Sequence, residues 1–142
     1  MNIIDFNNQE FQNTEVYKDF IKNNPSNATL NIRASSANFA VPVEGVKIIV
    51  SKTIDNYKVI FFEGLTDESG MINKIKLPTP SIVENDLDIP NATPYDIEAI
   101  YEKDNVDNKY VVLMYPGICV IQNINLIPTL VVSSMEVEEY GS

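Results

Sequence analysis

The stretch from residue 59 to residue 78 constrains the fold more than any other part of the sequence. Its first segment, Val59–Leu65, is rich in the β-branched and aromatic residues that strands prefer. In the next segment, Thr66–Gly70, Asp and Ser side chains can bond neighbouring backbone amides, and the glycine can take a positive φ. A second strand, Met71–Leu77, ends at a proline. The pattern predicts a β-hairpin with a tight turn, and its signature residues are Thr66, Asp67, Ser69, Gly70 and Pro78.

Strand-like segments recur about every ten residues along the chain. In the first of them, Leu30, Ile32 and Ala34 alternate with polar residues, which is typical of a strand with one buried face. Short strands separated by regular turn signals indicate a sandwich of two sheets. We therefore predict an all-β fold, a single seven- to eight-stranded antiparallel β-sandwich. Its seven strands are predicted at Thr29–Ala34, Val46–Val50, Lys58–Leu65, Met71–Leu77, Tyr95–Glu102, Tyr110–Tyr115 and Ile118–Ile127.

The sequence divides into an arm, the sandwich and a tail. Residues 1–28 form the arm, where Asn7–Glu10 resembles a capping box and apolar residues at helical spacing predict a short helix near Thr14–Asn23. An extended arm is the alternative. Residues 29–128 form the sandwich. In the tail, residues 129–142, apolar and acidic residues alternate, so we predict a further edge strand in this molecule or in a neighbour.

Composition excludes several classes of partner. The formal net charge is -10, whereas binding to nucleic acid requires clustered Lys and Arg, and anionic membrane surfaces attract the same residues. No apolar run is long enough for a transmembrane helix. The first residues lack the basic and apolar regions of a signal peptide. We therefore expect no nucleic-acid partner, no membrane insertion, and synthesis in the cytoplasm without general secretion.

The sequence offers no residues in a pattern that predicts catalysis, a cofactor or a metal site. Histidine is absent, so neither Cys119 nor a serine has a conventional general base. Two strand carboxylates, Glu63 and Glu98, are expected to be solvated instead of acting as a pair. Acidic residues in segments 84–88 and 104–107 lack the spacing of a calcium loop and are explained by turns. We expect a protein that is not an enzyme.

Some individual residues leave alternatives open. Cys119 lies in an apolar run, which predicts a buried thiol, and an exposed thiol that links two subunits is the alternative. Glu98 with Asn123 or Asn125 resembles part of a Lys–Asn isopeptide triad, but the first strand offers Arg33 in place of lysine. Aromatic residues in strands more often pack in cross-strand pairs than stack on sugars. The tyrosines available for sugar stacking are Tyr57, Tyr95, Tyr101, Tyr110 and Tyr115.

Several of these segments together suggest a family. The chain resembles the carboxypeptidase regulatory-like (transthyretin-like) β-sandwich of anaerobic spore-forming bacteria, which occurs alone or beside peptidoglycan-binding and cortex-lytic modules. The resemblance implies a non-catalytic accessory or structural domain of the spore envelope. Cys119 departs from it, since a small β-former is expected there. The residues that carry the resemblance are Tyr17–Pro25, Thr29–Ala34, Ala40–Val50, Phe61–Gly70, Leu77–Pro80, Pro94–Tyr95 and Gly117–Pro128.

The arm and the alternating tail are suited to adding strands to the sheet edge of a neighbour. Our leading interpretation is therefore a structural protein of the spore or cell exterior that self-associates into a polymer or oligomer. The alternative is a peptidoglycan- or glycan-binding accessory domain that partners a cortex-lytic enzyme. Spore envelope proteins are further expected partners. The candidate assembly contacts are Phe6, Phe11, Val131, Met135 and Val137, with Cys119 as the inter-subunit thiol.

Overall fold

A computed structural model describes residues 1–36, 40–82 and 91–126. Two short helices, α1 and α2, follow the first strand, and a 3₁₀ turn at Glu102–Asp104 precedes β8. The helices are α1 (Gln9–Gln12) and α2 (Glu15–Asn23), and the strands are β1 (Asn2–Asp5), β2 (Ser26–Ser36), β3 (Val41–Pro42), β4 (Lys47–Ile54), β5 (Tyr57–Leu65), β6 (Met71–Thr79), β7 (Thr93–Tyr101), β8 (Val106–Met114) and β9 (Cys119–Asn125).

The strands form two sheets that pack face to face. Sheet A has the order β1-β5-β4-β7-β8, and in sheet B the central β2 pairs with β6, β3 and β9. The predicted all-β sandwich is confirmed, and each of the seven predicted strands is present. The predicted eighth strand in residues 129–142 lies outside the described residues.

The sheets are mixed, which corrects the expectation of a purely antiparallel sandwich. β1 pairs with β5 in parallel, and β9 pairs with β2 in parallel. The physical reason is that neither pair is joined by a hairpin, and only a hairpin forces adjacent strands to run in opposite directions. The boundary placed after residue 28 falls inside β2, so the first residues of this strand belong to the sandwich.

The segment Thr66–Gly70 is a turn but not the turn of a hairpin. Asp67 Oδ1 accepts hydrogen bonds from the amides of Ser69 and Met71, both at 2.9 Å, and Gly70 has φ +74°. The tight turn is thus confirmed. The hairpin prediction is wrong, because β5 lies in sheet A and β6 in sheet B. The turn residues carry the chain from one sheet to the other.

Pro78 does not end β6, because that strand continues to Thr79. Pro78 pairs with Asn27 of β2 and is buried. A proline is tolerated there since β6 has only β2 as a neighbour among the described strands, so the missing N–H breaks no second ladder.

The arm forms helices that pack on the body of the same chain. Asn8 caps α1, and Thr14 caps α2 by accepting from the Tyr17 amide at 3.2 Å, so the helix predicted near Thr14–Asn23 is confirmed. The aromatic rings of the arm contact Phe61 of β5 and one another. β1 then adds to the edge of sheet A beside β5.

The core lies between the sheets and is built from the alternating apolar positions of the strands. Side chains along a strand point alternately to its two faces, so every second residue points into the core, as expected for half-buried strands. Its largest fully buried side chains include Leu30, Ile32, Ile48, Leu77, Tyr95, Ile97, Met114 and Ile124.

Candidate functional site

On one side of the sandwich, both sheets end in an unpaired strand. β8 is the last strand of sheet A, β9 pairs only with β2, and no described residue pairs with the outer edge of either. Residues 115–118 join the end of β8 to the start of β9, so these two strand ends lie close together. We call β8, β9 and this link the open side. An unpaired edge offers backbone N–H and C=O groups to another strand.

The open side also carries exposed apolar residues. Val111 on β8 and Ile121 on β9 are 65% and 53% exposed, and Leu113 and Ile118 are exposed as well. Large apolar side chains on an unpaired edge favour association with another chain.

Three buried side-chain atoms have no hydrogen-bond partner among the described residues: Ser35 Oγ, Asn108 Nδ2 and Asn125 Oδ1. Asn108 lies on β8 and Asn125 on β9, and Ser35 is the residue of β2 that pairs with Asn125. Leaving such an atom unpaired costs about 1–3 kcal/mol. Ser35 and Asn125 therefore mark the end of β9 as a place where a hydrogen-bonding partner would stabilise the protein, whereas Asn108 lies on the inner face of sheet A.

Sequence reasoning missed Ser35, Asn108 and the edge of β9, and it named Asn125 only as part of an isopeptide triad. One signal was available, because Cys119–Asn125 contains no charged residue, proline or glycine. Proteins usually protect an edge strand with lysine, proline or a bulge. A strand without such protection is a candidate for binding another strand.

Thr66, the first residue of the predicted turn signature, has a structural role. Its hydroxyl accepts from the Val46 amide at 3.0 Å and donates to the Val43 carbonyl at 2.8 Å, and the residue is buried. Gly70 contacts β2, since its carbonyl accepts from the Ala34 amide at 2.7 Å. These contacts hold the crossover between the sheets and form no binding site.

Cys119 is exposed, which corrects the prediction of a buried thiol. The cause is the direction of its side chain: Cys119 pairs with Thr29 of β2 and points away from the core, while Val120 points inward. The nearest polar contact is the Asn31 side-chain amide, which lies 3.5 Å from Sγ. A link between subunits through this thiol stays a prediction.

The two candidate assembly contacts in the arm lie inside their own chain. Phe11 is fully buried, and the Phe6 ring stacks on Phe61 with 4.5 Å between centroids. Phe11 therefore has no surface free for a neighbour, which corrects this part of the expectation. The tail candidates Val131, Met135 and Val137 lie outside the described residues.

The outer face of sheet A has a shallow groove of about 390 Å³. It is lined by charged residues, among them Lys58, Asp96, Glu98 and Lys109. A hydrogen bond with Asp107 raises the pKa of Glu98; burial and the negative charge of Asp107 act in the same direction, while two lysines oppose them. Both signs of charge alternate along the groove, as on an ordinary solvated sheet face.

Glu63 and Glu98 do not face a common cleft. Each is opposite Ile49, on β5 and β7 respectively, so their backbones are about 10 Å apart. Glu63 contacts Lys47 at 3.8 Å, and Glu98 interacts with Asp107. Glu98 lies on the outer face of sheet A, whereas Asn123 and Asn125 lie on β9 of sheet B, so the residues of an isopeptide triad are not brought together.

The tyrosines do not form a platform for sugars. Tyr95 is buried, and its hydroxyl donates to the Pro78 carbonyl at 2.6 Å, which ties sheet A to sheet B. Burial raises the pKa of Tyr95 and lowers that of Lys52, whose Nζ lies 5.9 Å from the Tyr95 ring. Tyr57 packs edge-on against Phe11. Of the five candidates, only Tyr115 is counted among the exposed residues.

Within residues 1–36, 40–82 and 91–126, no three acidic or cysteine side chains converge as a metal site requires. The segment 104–107 is divided between the 3₁₀ turn and β8, with Asn105 at φ +53° between them. The segment 84–88 lies outside the described residues. Neither helix of the arm, nor the 3₁₀ turn, is long and apolar enough to cross a membrane.

Among the solved structures that are similar to the chain, three illustrate the low identity. They are 5-hydroxyisourate hydrolase of Klebsiella pneumoniae (16% identity, TM-score 0.44, 71% of this chain and 90% of that one), sea bream transthyretin in complex with thyroxine (20%, 0.46, 70% and 86%) and transthyretin from Sparus aurata (19%, 0.41, 68% and 89%). No protein-family model and no curated protein matches the chain. Similarity at this level assigns neither a ligand nor an activity.

Proposed function

We propose that the chain is a non-catalytic structural protein that self-associates by strand addition through its C-terminal segment. The observation that carries this proposal is the open side, where β8 and β9 have no partner on their outer edges among the described strands. A domain that binds an added strand gains main-chain hydrogen bonds along the whole edge. The alternating sequence of residues 129–142 supplies a strand of suitable length.

The arm is not proposed as an assembly element. Phe6 and Phe11 pack inside the chain, and β1 already occupies the edge of sheet A beside β5. Strand addition by the arm thus takes place within one molecule. The proposed self-association therefore uses the C-terminal segment, residues 129–142.

The absence of catalysis is also part of the proposal. Histidine is absent from the sequence, and the two candidate carboxylates have separate partners, Lys47 and Asp107. The spore or cell exterior is the proposed location, and it rests on the sequence resemblance given above. Peptidoglycan or glycan binding is not favoured, because the candidate tyrosines pack largely inward.

The test compares the size of the full-length protein with that of a triple lysine variant, Val131→Lys, Met135→Lys and Val137→Lys. Lysines on the apolar face of an added strand prevent its burial. We expect oligomers or fibres of the wild type and monomers of the variant, by light scattering and negative-stain microscopy. A wild type that is monomeric up to high concentration would refute self-association.

The matched control places three lysines on exposed apolar residues elsewhere: Ile3→Lys, Leu65→Lys and Ile82→Lys. These residues are 70%, 65% and 64% exposed, so the control adds the same charge without changing the tail. It should assemble like the wild type. If both triple variants lose assembly alike, charge alone is responsible and the tail has no special role.

A further inference from the structure

We infer that the acceptor for this strand addition is the outer edge of β9, and that its occupant is the segment 129–142 of a second copy of the chain. The inference rests on the proposed function, because it names the surface and the partner of that self-association. It states that the acceptor edge is β9 and not β8. It also states that the added strand comes from a second copy and not from the tail of the same copy. Three independent features of the described residues support it.

The first feature is that β9 is less protected than the other edges. β1 has four residues and β3 has two. β6 carries Pro78, and its Lys74 has φ +64° where the register with β2 is irregular. β8 presents the charged residues Asp107 and Lys109. β9 has seven residues and none of these protective features.

The backbone of β9 is also set to accept a strand. The Thr29 amide donates to the Ile118 carbonyl at 3.0 Å, and the Leu126 amide donates to the Ser35 carbonyl at 2.8 Å. In a parallel ladder with this register, the even-numbered residues of β9 bond to β2. The odd-numbered residues therefore turn their N–H and C=O groups to the open side. Those residues are Cys119, Ile121, Asn123 and Asn125.

The second feature is the set of unpaired polar atoms. Asn125 Oδ1 and Ser35 Oγ lie at the end of β9, and Asn108 Nδ2 lies on the neighbouring edge strand. A strand that lies along β9 brings donors and acceptors to Asn125 and Ser35, whereas Asn108 lies on the inner face of sheet A. The tail contains two serines, Ser133 and Ser134, whose hydroxyls can both donate and accept.

The third feature is charge complementarity. The exposed outer face of sheet B carries Arg33, Lys74 and Lys76, although the chain as a whole is acidic. If Val131, Met135 and Val137 of an added strand face inward, Glu136 and Glu138 face outward on the basic side of sheet B, with Arg33 about two strand spacings away across β9 and the lysines of β6 one strand further. From Val131 to Glu138 the tail thus presents an uncharged inner side and two carboxylates on the outer side, and Glu139 is the first charge on the inner side.

The sequence after β9 favours a second copy as the source of the strand. To bind β9 in its own molecule, the tail must reverse direction directly after Leu126. Tight reversals use Gly, Asn or Asp at positive φ, whereas the next residues are Ile127, Pro128 and Thr129. Proline fixes its own φ near −65° and favours an extended residue before it. The chain is therefore better suited to extend toward a neighbour.

Two substitutions block the β9 edge. Ile121→Lys introduces a charge on the exposed face of the edge strand, and Asn123→Pro removes an N–H that points away from β2 while leaving the β2 ladder intact. We expect both variants to be folded monomers by circular dichroism and light scattering. Val111→Lys places the same charge on β8 and tests β8 as the acceptor. The matched control, Leu65→Lys, lies on β5 at a residue that is also 65% exposed, and should assemble normally.

Mixing distinguishes exchange between copies from closure within one copy. The Ile121→Lys protein keeps its tail but has a blocked edge, and the triple tail variant keeps its edge but has no functional strand. Each alone should be a monomer, and an equimolar mixture should give heterodimers of one copy each by analytical ultracentrifugation. A mixture of monomers would overturn the exchange.

The outcomes separate the two proposals. If the triple tail variant assembles like the wild type, the proposed function fails. If the tail is required but Val111→Lys abolishes assembly while Ile121→Lys and Asn123→Pro do not, the acceptor is β8 and the inference is wrong although the proposed function holds. If Ile121→Lys or Asn123→Pro loses the native circular-dichroism spectrum, the assembly of the other variant decides whether β9 is the acceptor.

Discussion

At the scale of single residues, Gly70 is required by the space around it as well as by its backbone angle. Gly70, Gly45 and Gly117 have φ of +74°, +82° and +76°, but only at Gly70 would a Cβ lie 2.3 Å from a backbone atom, the Ala34 oxygen. A positive φ alone costs an L-residue about 1–2 kcal/mol. The collision with β2 adds to that cost, because β6 must move away from its partner strand.

We therefore predict that Gly70→Ala lowers the free energy of unfolding by about 3 kcal/mol or more, whereas Gly45→Ala and Gly117→Ala each lower it by about 1 kcal/mol. Urea denaturation of the three variants measures the difference. Equal losses in all three would show that the contact with Ala34 has no role.

Glu98 is predicted to make stability depend on pH. Its hydrogen bond with Asp107 raises its pKa from the ordinary 4.5, so the folded protein binds this proton more tightly than the unfolded chain does. The stabilisation is complete below the ordinary pKa and is lost as pH rises through the raised value. Glu98→Gln should match the wild type at about pH 4 and exceed it at about pH 7, by at most about 0.5 kcal/mol because the pair is open to water.

The measurement is urea denaturation of both proteins across this pH range. Glu63→Gln serves as the control, since Glu63 contacts Lys47 at 3.8 Å and has no carboxyl group as its paired neighbour. The control should not gain stability as pH rises. If the free energy of unfolding depends on pH in the same way for Glu98→Gln and the wild type, Glu98 is not the source of the pH dependence.

At the scale of elements, the arm is held by a cluster of aromatic rings. Phe6 lies 4.5 Å from Phe61, 5.4 Å from Tyr17 and 6.1 Å from Phe20, between ring centroids. Removing this ring takes away the contact that joins β1 to both α2 and β5. Aromatic truncations of this kind cost about 3 kcal/mol.

Phe6→Ala should therefore destabilise the protein by about 2–3 kcal/mol, slightly less than a fully buried ring. The amides of Asn2 and Phe6, which donate to Asn56 and Ile60, should then exchange with solvent much faster than those of β4. Ile3→Ala on the exposed face of β1 should change stability by less than about 0.5 kcal/mol. Similar exchange in both variants would show that the cluster does not anchor β1.

The sequence predicts which segments are strands better than it predicts how strands are paired. Alternation along a strand depends only on one buried face, so the seven predicted strands and the helix at Thr14–Asn23 could be found from the sequence. Pairing depends on contacts between distant segments. The turn at Thr66–Gly70 has the same local chemistry whether it joins two strands of one sheet or crosses between sheets, so the hairpin prediction was wrong.

The candidate site was harder to predict for a related reason. An apolar run does not show which of its residues face inward, and Cys119 was therefore placed in the core although its side chain points to solvent. Ser35 and Asn125 become neighbours only through the pairing of β2 with β9, and the burial of Asn108 depends on the packing of sheet A. Only the uncharged composition of β9 was visible in the sequence.

At the scale of the whole molecule, assembly must overcome repulsion between copies with a net charge of -10. The basic outer face of sheet B offsets part of this repulsion if an acidic strand lies beside it. Arg33 is the residue of β2 that pairs with Asn123 of β9, so among the basic residues of this face it is separated from the added strand by one strand, and the lysines of β6 are further away. Its charge should matter more for assembly than that of a lysine on sheet A.

We predict that Arg33→Glu raises the concentration needed for half-maximal assembly roughly threefold to tenfold, in line with the small energies of exposed ion pairs. Lys58→Glu is the matched control, because it makes the net charge more negative by the same two units but lies on the outer face of sheet A. Sedimentation velocity over a dilution series at fixed salt measures both. Equal shifts would assign the effect to net charge, whereas a shift confined to Arg33→Glu locates the acidic strand at sheet B, and the β9 variants identify the edge.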